Sequence, residues 1–324
     1  MTTENLRFTP PENPEDLTPM MQQYMNVKRD YPDCILMYRI GDFFEMFFED
    51  ARIVSEALEL TLTGKACGTS ERAAMCGVPH QTAETYIARM IAAGLKVAVC
   101  DQTEDPAQAK GLVKRDVLRV VTPGTVTDAS MLVSDTNNYL CAAFGDENGA
   151  GLAFCDISTG EVKVTELSLK DFSADLLEEC ALFSPREVLL SKAAATQRVL
   201  DTLKYRGSFV SPCYEERFDP DMARIDAQFD EHPALDELPH AVRALSALLS
   251  YLAETQKTAL DNLRTLETYS RSQYMILDSV ARRNLELFET LRGHEKRGSL
   301  LWVLDHTCTA MGTRALRRWL EQPL

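Results

Sequence analysis

Between Tyr139 and Leu167 three short apolar runs, Tyr139 to Phe144, Gly151 to Ile157 and Glu161 to Leu167, are separated only by Gly145-Asp146-Glu147-Asn148-Gly149 and Ser158-Thr159-Gly160. A parallel strand pair needs a crossover of about a dozen residues or more, and neither gap supplies one. The spacing predicts an antiparallel meander with tight turns. Helical segments around Asp171 to Leu182 and Ala194 to Leu203 flank a further strand at Glu187-Val188-Leu189-Leu190. This part of the chain is therefore read as an α/β layer, which excludes an all-helical or all-β protein.

Upstream, helix and strand signals alternate. Thr18 is read as the cap and Pro19 as the start of a helix carrying Met21, Tyr24, Met25 and Lys28 on one side, stopped before Pro32. Cys34-Ile35-Leu36-Met37-Tyr38 reads as a buried strand, Asp50 to Leu58 as a helix, and Ala83 to Gly94 as another with apolar Ala83, Tyr86, Ile87, Met90 and Ile91. Val97 to Cys100 and Val117 to Val121 supply strands that close a small mixed α/β domain near Pro123-Gly124. From about Ala241 the pattern turns helical. Leu245, Leu248, Leu249 and Leu252 form one apolar stripe, and Leu300, Leu301, Val303 and Leu304 begin another, both needing partners. With 324 residues at 45% hydrophobic composition, two or three domains are expected of this α/β multidomain chain.

The net charge of −15 argues against strong general affinity for nucleic acid, which comes from cations that neutralise phosphates. Residues 131–261 hold most of the excess, 11 basic against 23 acidic side chains. Nine cysteines, odd in number and without a C-x-x-C pair, read as reduced thiols. His80, His232, His240, His294 and His306 lack metal-binding spacing, and no G-x-x-x-x-G-K-[ST] phosphate loop occurs, so neither a metal site nor nucleotide hydrolysis is expected of these residues. The first residues lack the basic start and apolar block of a signal peptide, and no apolar run approaches a membrane span, so a cytoplasmic chain without membrane contact is expected.

Gly41-Asp42-Phe43-Phe44-Glu45-Met46-Phe47 places an aromatic and a carboxylate two positions apart. In an extended segment Phe43 and Glu45 project from one face, where a ring could wedge into a base stack while the acid reads the displaced base edge. The competing reading is a strand running into a helix, with Glu45 solvated or near the helix N-terminus. Lys110, Lys114, Arg115 and Arg119 form a basic stretch interrupted by Asp116, read either as a phosphate contact or as a solvated loop.

The motif does not stand alone. Thr18-Pro19-Met20-Met21-Gln22-Gln23-Tyr24 precedes it and Ala74-Met75-Cys76-Gly77-Val78-Pro79 follows. Then come Asp105-Pro106, Val121-Thr122-Pro123-Gly124-Thr125, Leu277-Asp278, Arg283-Asn284-Leu285-Glu286-Leu287 and Met311-Gly312-Thr313-Arg314. In this order they resemble the bacterial MutS family of DNA mismatch-recognition proteins over essentially the whole chain. The resemblance implies a mismatch-binding domain over 1–125, a connector domain with a ribonuclease-H-like fold over 126–260, and the truncated start of a helical core over 261–324. It implies that Phe43 is the wedge and that Glu45 hydrogen-bonds the displaced base. Lys65 and Arg115 fall at positions that contact the DNA backbone, and Met75 lies in a loop that approaches the minor groove. Mismatched double-stranded DNA, MutL and a second copy in a homodimer are the implied partners. ATP and magnesium are cofactors of the full-length family protein, whose ATPase domain would lie beyond this chain; none is expected here, nor enzymatic activity. Phe44 stands where the family commonly has tyrosine, and His80-Gln81 where it has Tyr-His. The alternative function is a metal-dependent nuclease on the ribonuclease-H-like domain, using Asp156 at a strand end beside Glu161 across a turn.

Overall fold

The computed structural model describes residues 6–104, 111–128, 130–133, 136–167, 172–211, 213–257, 260–275 and 277–324. Asp105-Pro106, Lys110 and the expected helix start at Asp171 lie outside the described residues. The chain divides into two compact units, Met1–Pro123 with Glu254–Thr258, and Gly124–Ala253 with Ala259–Leu324.

In the first unit the elements run β1 (Leu6–Arg7), α1 (Pro19–Asp30), β2 (Ile35–Ile40), β3 (Phe43–Phe47), α2 (Phe48–Leu58), β4 (Thr63–Ala66), β5 (Arg72–Pro79), α3 (Ala83–Ala92), β6 (Val97–Gln102) and β7 (Arg115–Val121). The sheet order is β1-β5-β3-β2-β6-β7, with β4 also paired to β5. Met21 and Tyr24 of α1 bury one sheet face through Leu36, Tyr38, Phe47, Ala73, Ala98, Cys100 and Val117. Helices α2 and α3 contact β5, β3 and β6. Pro19 begins α1 as expected, but Thr18 makes no side-chain cap; its backbone N–H instead donates to Cys67 O at 2.8 Å. A buried carboxylate ties the layers together: Asp50 of α2 accepts from Tyr24 Oη at 3.2 Å, Lys28 Nζ at 2.9 Å and Leu36 N at 3.0 Å. Burial, with the Asp50 charge adding to it, pushes the Tyr24 phenol well up.

The second unit contains β8 (Leu140–Gly145), β9 (Ala150–Asp156), β10 (Glu161–Leu167), α4 (Phe172–Phe183), β11 (Glu187–Leu190), α5 (Gln197–Tyr205), β12 (Phe209–Ser211), α6 (Met222–Gln228), α7 (Pro239–Gln256), β13 (Thr265–Thr268), α8 (Ser279–Asn284), α9 (Leu300–Leu304) and α10 (Ala310–Glu321). Strands β8, β9 and β10 form the expected antiparallel meander, and β11, β12 and β13 add in parallel to give the order β12-β11-β8-β9-β10-β13. The meander residues alternate between two cores: Leu140, Ala142 and Phe144 meet α7, whereas Cys141 and Ala143 meet α4 and α5. Gly151 allows the approach of α7, since a Cβ there would lie 2.1 Å from Ala241 N.

Two expectations are corrected. The stripe Leu245, Leu248, Leu249 and Leu252 is not waiting for a partner, because α7 lays it against the sheet. Nor is the chain wholly helical after Ala241: Thr265–Thr268 returns as β13, in parallel register with β10. A four-residue strand with Thr at both ends gives no helical or alternating signal long enough to read.

All nine cysteines are free, and seven are buried. Burial pushes the thiols of Cys34, Cys76 and Cys100 up to about 12, as expected of inert packing groups. Among the described residues no helix is long and apolar enough to cross a membrane.

Candidate nucleic-acid interface

Strands β2 and β3 pair antiparallel with Ile40 opposite Phe43, leaving Gly41-Asp42 as a two-residue hairpin loop. Gly41 has φ +58°, which a glycine adopts at no steric cost and the first position of such a turn requires. Asp42 O accepts from His80 N at 2.8 Å, tying the loop to the end of β5. Strand β3 is held on both sides, since Phe43, Glu45 and Phe47 also pair with Pro79, Gly77 and Met75 of β5.

Inside this frame the alternation is sharp. Phe44 is 3% exposed and packs its ring 5.7 Å from that of His80, whereas Phe43 is 47% exposed. The strand therefore presents a ring at the hairpin end while its neighbours anchor the backbone. Phe47 is buried edge-on against Tyr24, with centroids 5.0 Å apart. The following residue, Phe48, sits in the left-handed region at φ +54° and is itself buried. A bulky residue there costs about 1–3 kcal/mol and is held by its surroundings, which fixes where the strand ends.

Glu45 projects on the Phe43 face. Its side chain is only 15% exposed and its Oε2 accepts from Lys65 Nζ at 2.5 Å. Lys65, on β4, also places Nζ 5.7 Å from the centre of the Phe47 ring. Met75, expected in a loop, lies instead within β5, in the row Phe47–Met75–Thr63 across β3, β5 and β4, half-buried, with its carbonyl accepting from Thr63 Oγ1 at 3.1 Å.

Arg115 is tied into the protein. Its Nε donates to Arg39 O at 2.7 Å, its Nη1 donates to Gln23 Oε1 at 3.1 Å and Val113 O at 3.0 Å, and its guanidinium lies 5.0 Å from the Tyr38 ring centre. The expected basic stretch is not one surface. Pairing shifts between Val99 and Cys100, whose partners are Arg119 and Val117, so Leu118 is the extra residue of a bulge and stands 48% exposed. The bulge reverses the strand's faces, and Arg119 pairs with Glu84 of α3 while Arg115 turns to Gln23 of α1. Lys114 is exposed.

The structure thus gathers Phe43, Glu45, Lys65 and Met75 on one face around β3 and β5, with Arg115 engaged at the far edge strand. Sequence reading missed the Glu45–Lys65 pair because β4 and β5 were not recognised as strands. Their Thr-Gly-Lys-Ala and Ala-Ala-Met-Cys-Gly composition is poor in β-branched and aromatic residues.

The nuclease carboxylates are spent. Asp156 is fully buried and accepts from Asn137 Nδ2 at 2.8 Å, Asn138 N at 3.2 Å, Ser158 N at 2.9 Å and Ser158 Oγ at 2.6 Å. Glu161 accepts from Tyr139 Oη at 2.6 Å and pairs with Lys163 at 2.6 Å and Arg318 at 3.1 Å. Among the described residues no group of three or more His, Cys, Asp or Glu side chains is arranged to hold a metal ion.

Family models described as MutS domain I, MutS domain II and MutS domain III match residues 18–130, 138–264 and 280–324. The chain is 47% identical over 313 residues to the DNA mismatch repair protein MutS of Acetivibrio thermocellus and 48% identical over 313 residues to that of Ruminiclostridium cellulolyticum, each alignment covering 95% of this chain and 36% of the relative. It is 46% identical over 311 residues to a protein of the same description from Clostridium botulinum, covering 95% of this chain and 33% of the relative. The chain spans about a third of the length of these relatives.

Proposed function

The chain belongs to the MutS family, and from that premise we propose that it recognises mispaired or unpaired bases in duplex DNA during repair, by inserting Phe43 at a kinked step. The observation that carries this reading is the contrast within β3: an exposed ring at the hairpin end, on a strand whose next residue is buried and whose backbone is paired on both sides. A mispaired step stacks and pairs poorly, so opening it costs less than opening a matched one. A rigid wedge converts that difference into selectivity. Glu45, on the same face, accepts a hydrogen bond from the displaced base. Met75 lies on the same face, opposite Phe47, and Lys65 and Arg115 fall at positions where the family contacts the DNA backbone; contacts of that kind position a protein without reading sequence.

We assign 1–125 as the mismatch-binding domain, 126–260 as the connector and 261–324 as the start of the helical core. The strand order β12-β11-β8-β9-β10, with an antiparallel meander and parallel additions, supports a ribonuclease-H-like connector, to which β13 adds. MutL and a second copy of the chain are the proposed protein partners. ATP and magnesium belong to the whole family protein, and the residues here do not fit them: the sequence has no phosphate loop, and the described residues hold no carboxylate cluster for a metal.

The test uses Phe43→Ala in a chain of the relatives' full length. Mismatch-over-match affinity, read by competition binding, should fall by about 1–3 kcal/mol, the worth of one aromatic–base stack, while weak general binding survives. Phe44→Ala is the control, costing about 3–5 kcal/mol of stability with the ratio kept at equal folded concentration. An unaltered ratio in Phe43→Ala overturns the assignment.

A further inference from the structure

Glu45 faces a physical difficulty in the proposed role. A carboxylate brought beside the phosphates of a duplex is repelled by them, and a flexible one must be ordered before it can read a base edge. The structure meets both difficulties with one side chain. Lys65 Nζ holds Oε2 of Glu45 at 2.5 Å, and this is the only hydrogen bond to the Glu45 carboxylate among the described residues. Among the described residues no buried side-chain oxygen or nitrogen lacks a partner, so Oε1, which has none there, is not sealed from solvent. The strand opposite Glu45 contributes Gly77, where even a Cβ would meet Glu45 Cγ at an ordinary 3.5 Å, so nothing there displaces the Glu45 stem. From the other side Lys65 reaches in with its Nζ over the Phe47 ring, 5.7 Å from the ring centre. The Lys65 side chain is 29% exposed, less free than a surface lysine reaching for a phosphate.

We propose that Lys65 is a positioning residue for Glu45: it clamps Oε2, offsets the negative charge beside DNA, and leaves Oε1 to meet the displaced base. This rests on the reading of Glu45 as the base reader. It replaces the expectation that Lys65 is a phosphate contact, and the two roles predict different behaviour. A phosphate contact contributes to matched and mismatched duplex alike and adds about 0.9 to the salt slope. A clamp on Glu45 contributes to discrimination, and only while residue 45 is charged.

The experiment is a double-mutant cycle in a chain of the relatives' full length, with Lys65→Met retaining the alkyl stem over Phe47 and Glu45→Gln removing the charge it balances. Matched and single-mismatch duplexes are titrated over a salt series, with melting run in parallel to set equal folded concentration. Lys65→Met alone should lower the mismatch-to-match affinity ratio several-fold and leave the salt slope on matched duplex unchanged. In the Glu45→Gln background the same substitution should change the ratio little. Equal weakening of both duplexes in either background, with a slope shallower by about 0.9, overturns the proposal and returns Lys65 to a phosphate. An unchanged ratio with charged Glu45 overturns it too. Phe43→Ala in the same titrations reports separately on the wedge. If that variant keeps its ratio, the wedge reading fails, while the Lys65→Met ratio in the parent and Glu45→Gln backgrounds still decides whether Lys65 serves Glu45.

Discussion

Glu45 and Asp156 both stand within a few residues of a tight hairpin turn in an α/β layer, one in each sheet, and their surroundings differ in kind. Asp156 is fully buried, and its two oxygens accept four hydrogen bonds from Asn137, Asn138 and Ser158. Glu45 has one partner, Lys65, and sits beside an exposed phenylalanine. Glu45 follows a two-residue loop and Asp156 precedes a four-residue one, yet one acid completes its turn and the other remains able to accept from outside the chain. Availability is decided by turn residues such as Ser158 together with residues far away in sequence, and a carboxylate near a turn is by itself no sign of chemistry.

The largest expected effect falls on the saturated acid. Asp156→Ala removes four hydrogen bonds to a buried acid from half-buried Asn137 and Asn138 and exposed Ser158, each contributing about 0.5–1.5 kcal/mol. A loss of about 3 kcal/mol or more should appear as a lower denaturant midpoint at unchanged m-value. A loss under about 1 kcal/mol would break the comparison, because Asp156 would then be no more committed than a surface acid.

That difference was only half legible in the sequence. The meander was readable because Gly145 to Gly149 and Ser158 to Gly160 are too short for crossovers, and the helix from Pro19 because proline marks a first turn. Phe43 and Glu45 could be placed on one face from a period of two. What could not be read was register across strands. Arg72–Pro79 carries its identity as β5 in its pairing with β3 and β4 and hardly at all in its composition, so the partnership of Glu45 with a residue 20 positions on was invisible. The bulge at Leu118 hid in the same way, and with it the separation of Arg115 from Arg119.

A second, smaller effect sharpens the contrast through pH. Glu161 lies opposite Asp156 in the β9–β10 register. Burial alone would raise its carboxyl, but the adjacent Lys163 ammonium, the Tyr139 hydroxyl and the Arg318 guanidinium hold it below the usual carboxylate range. A lowered folded-state value means that the stabilisation is fully present above the unfolded carboxylate value, about 4.3, and is lost as pH falls through the folded one. Glu161→Gln should therefore be less stable than the parent by a constant margin above about pH 5.5, and the margin should shrink on acidification. Denaturant melts across that range read it. A margin that widens toward acid would mean that Glu161 is not held by its cations.

The smallest effects belong to Glu45, and they separate structure from recognition. Because the pair with Lys65 is partly exposed and carries a single hydrogen bond, Glu45→Gln should change folding stability by no more than about 1 kcal/mol, the range of surface pairs. The amide keeps an acceptor and adds a donor, so a hydrogen bond to a displaced base survives whichever edge it presents. Glu45→Ala removes both and also leaves the Lys65 ammonium alone over the Phe47 ring. Mismatch preference in a chain of the relatives' full length should therefore rank parent close to Glu45→Gln and well above Glu45→Ala, with the alanine variant losing the worth of one hydrogen bond, about 0.5–1.5 kcal/mol. Competition binding with matched and mismatched duplexes at equal folded concentration measures the ranking, and melting supplies the concentration. If alanine and glutamine behave alike, Glu45 reads no base, and its difference from Asp156 reduces to one of burial.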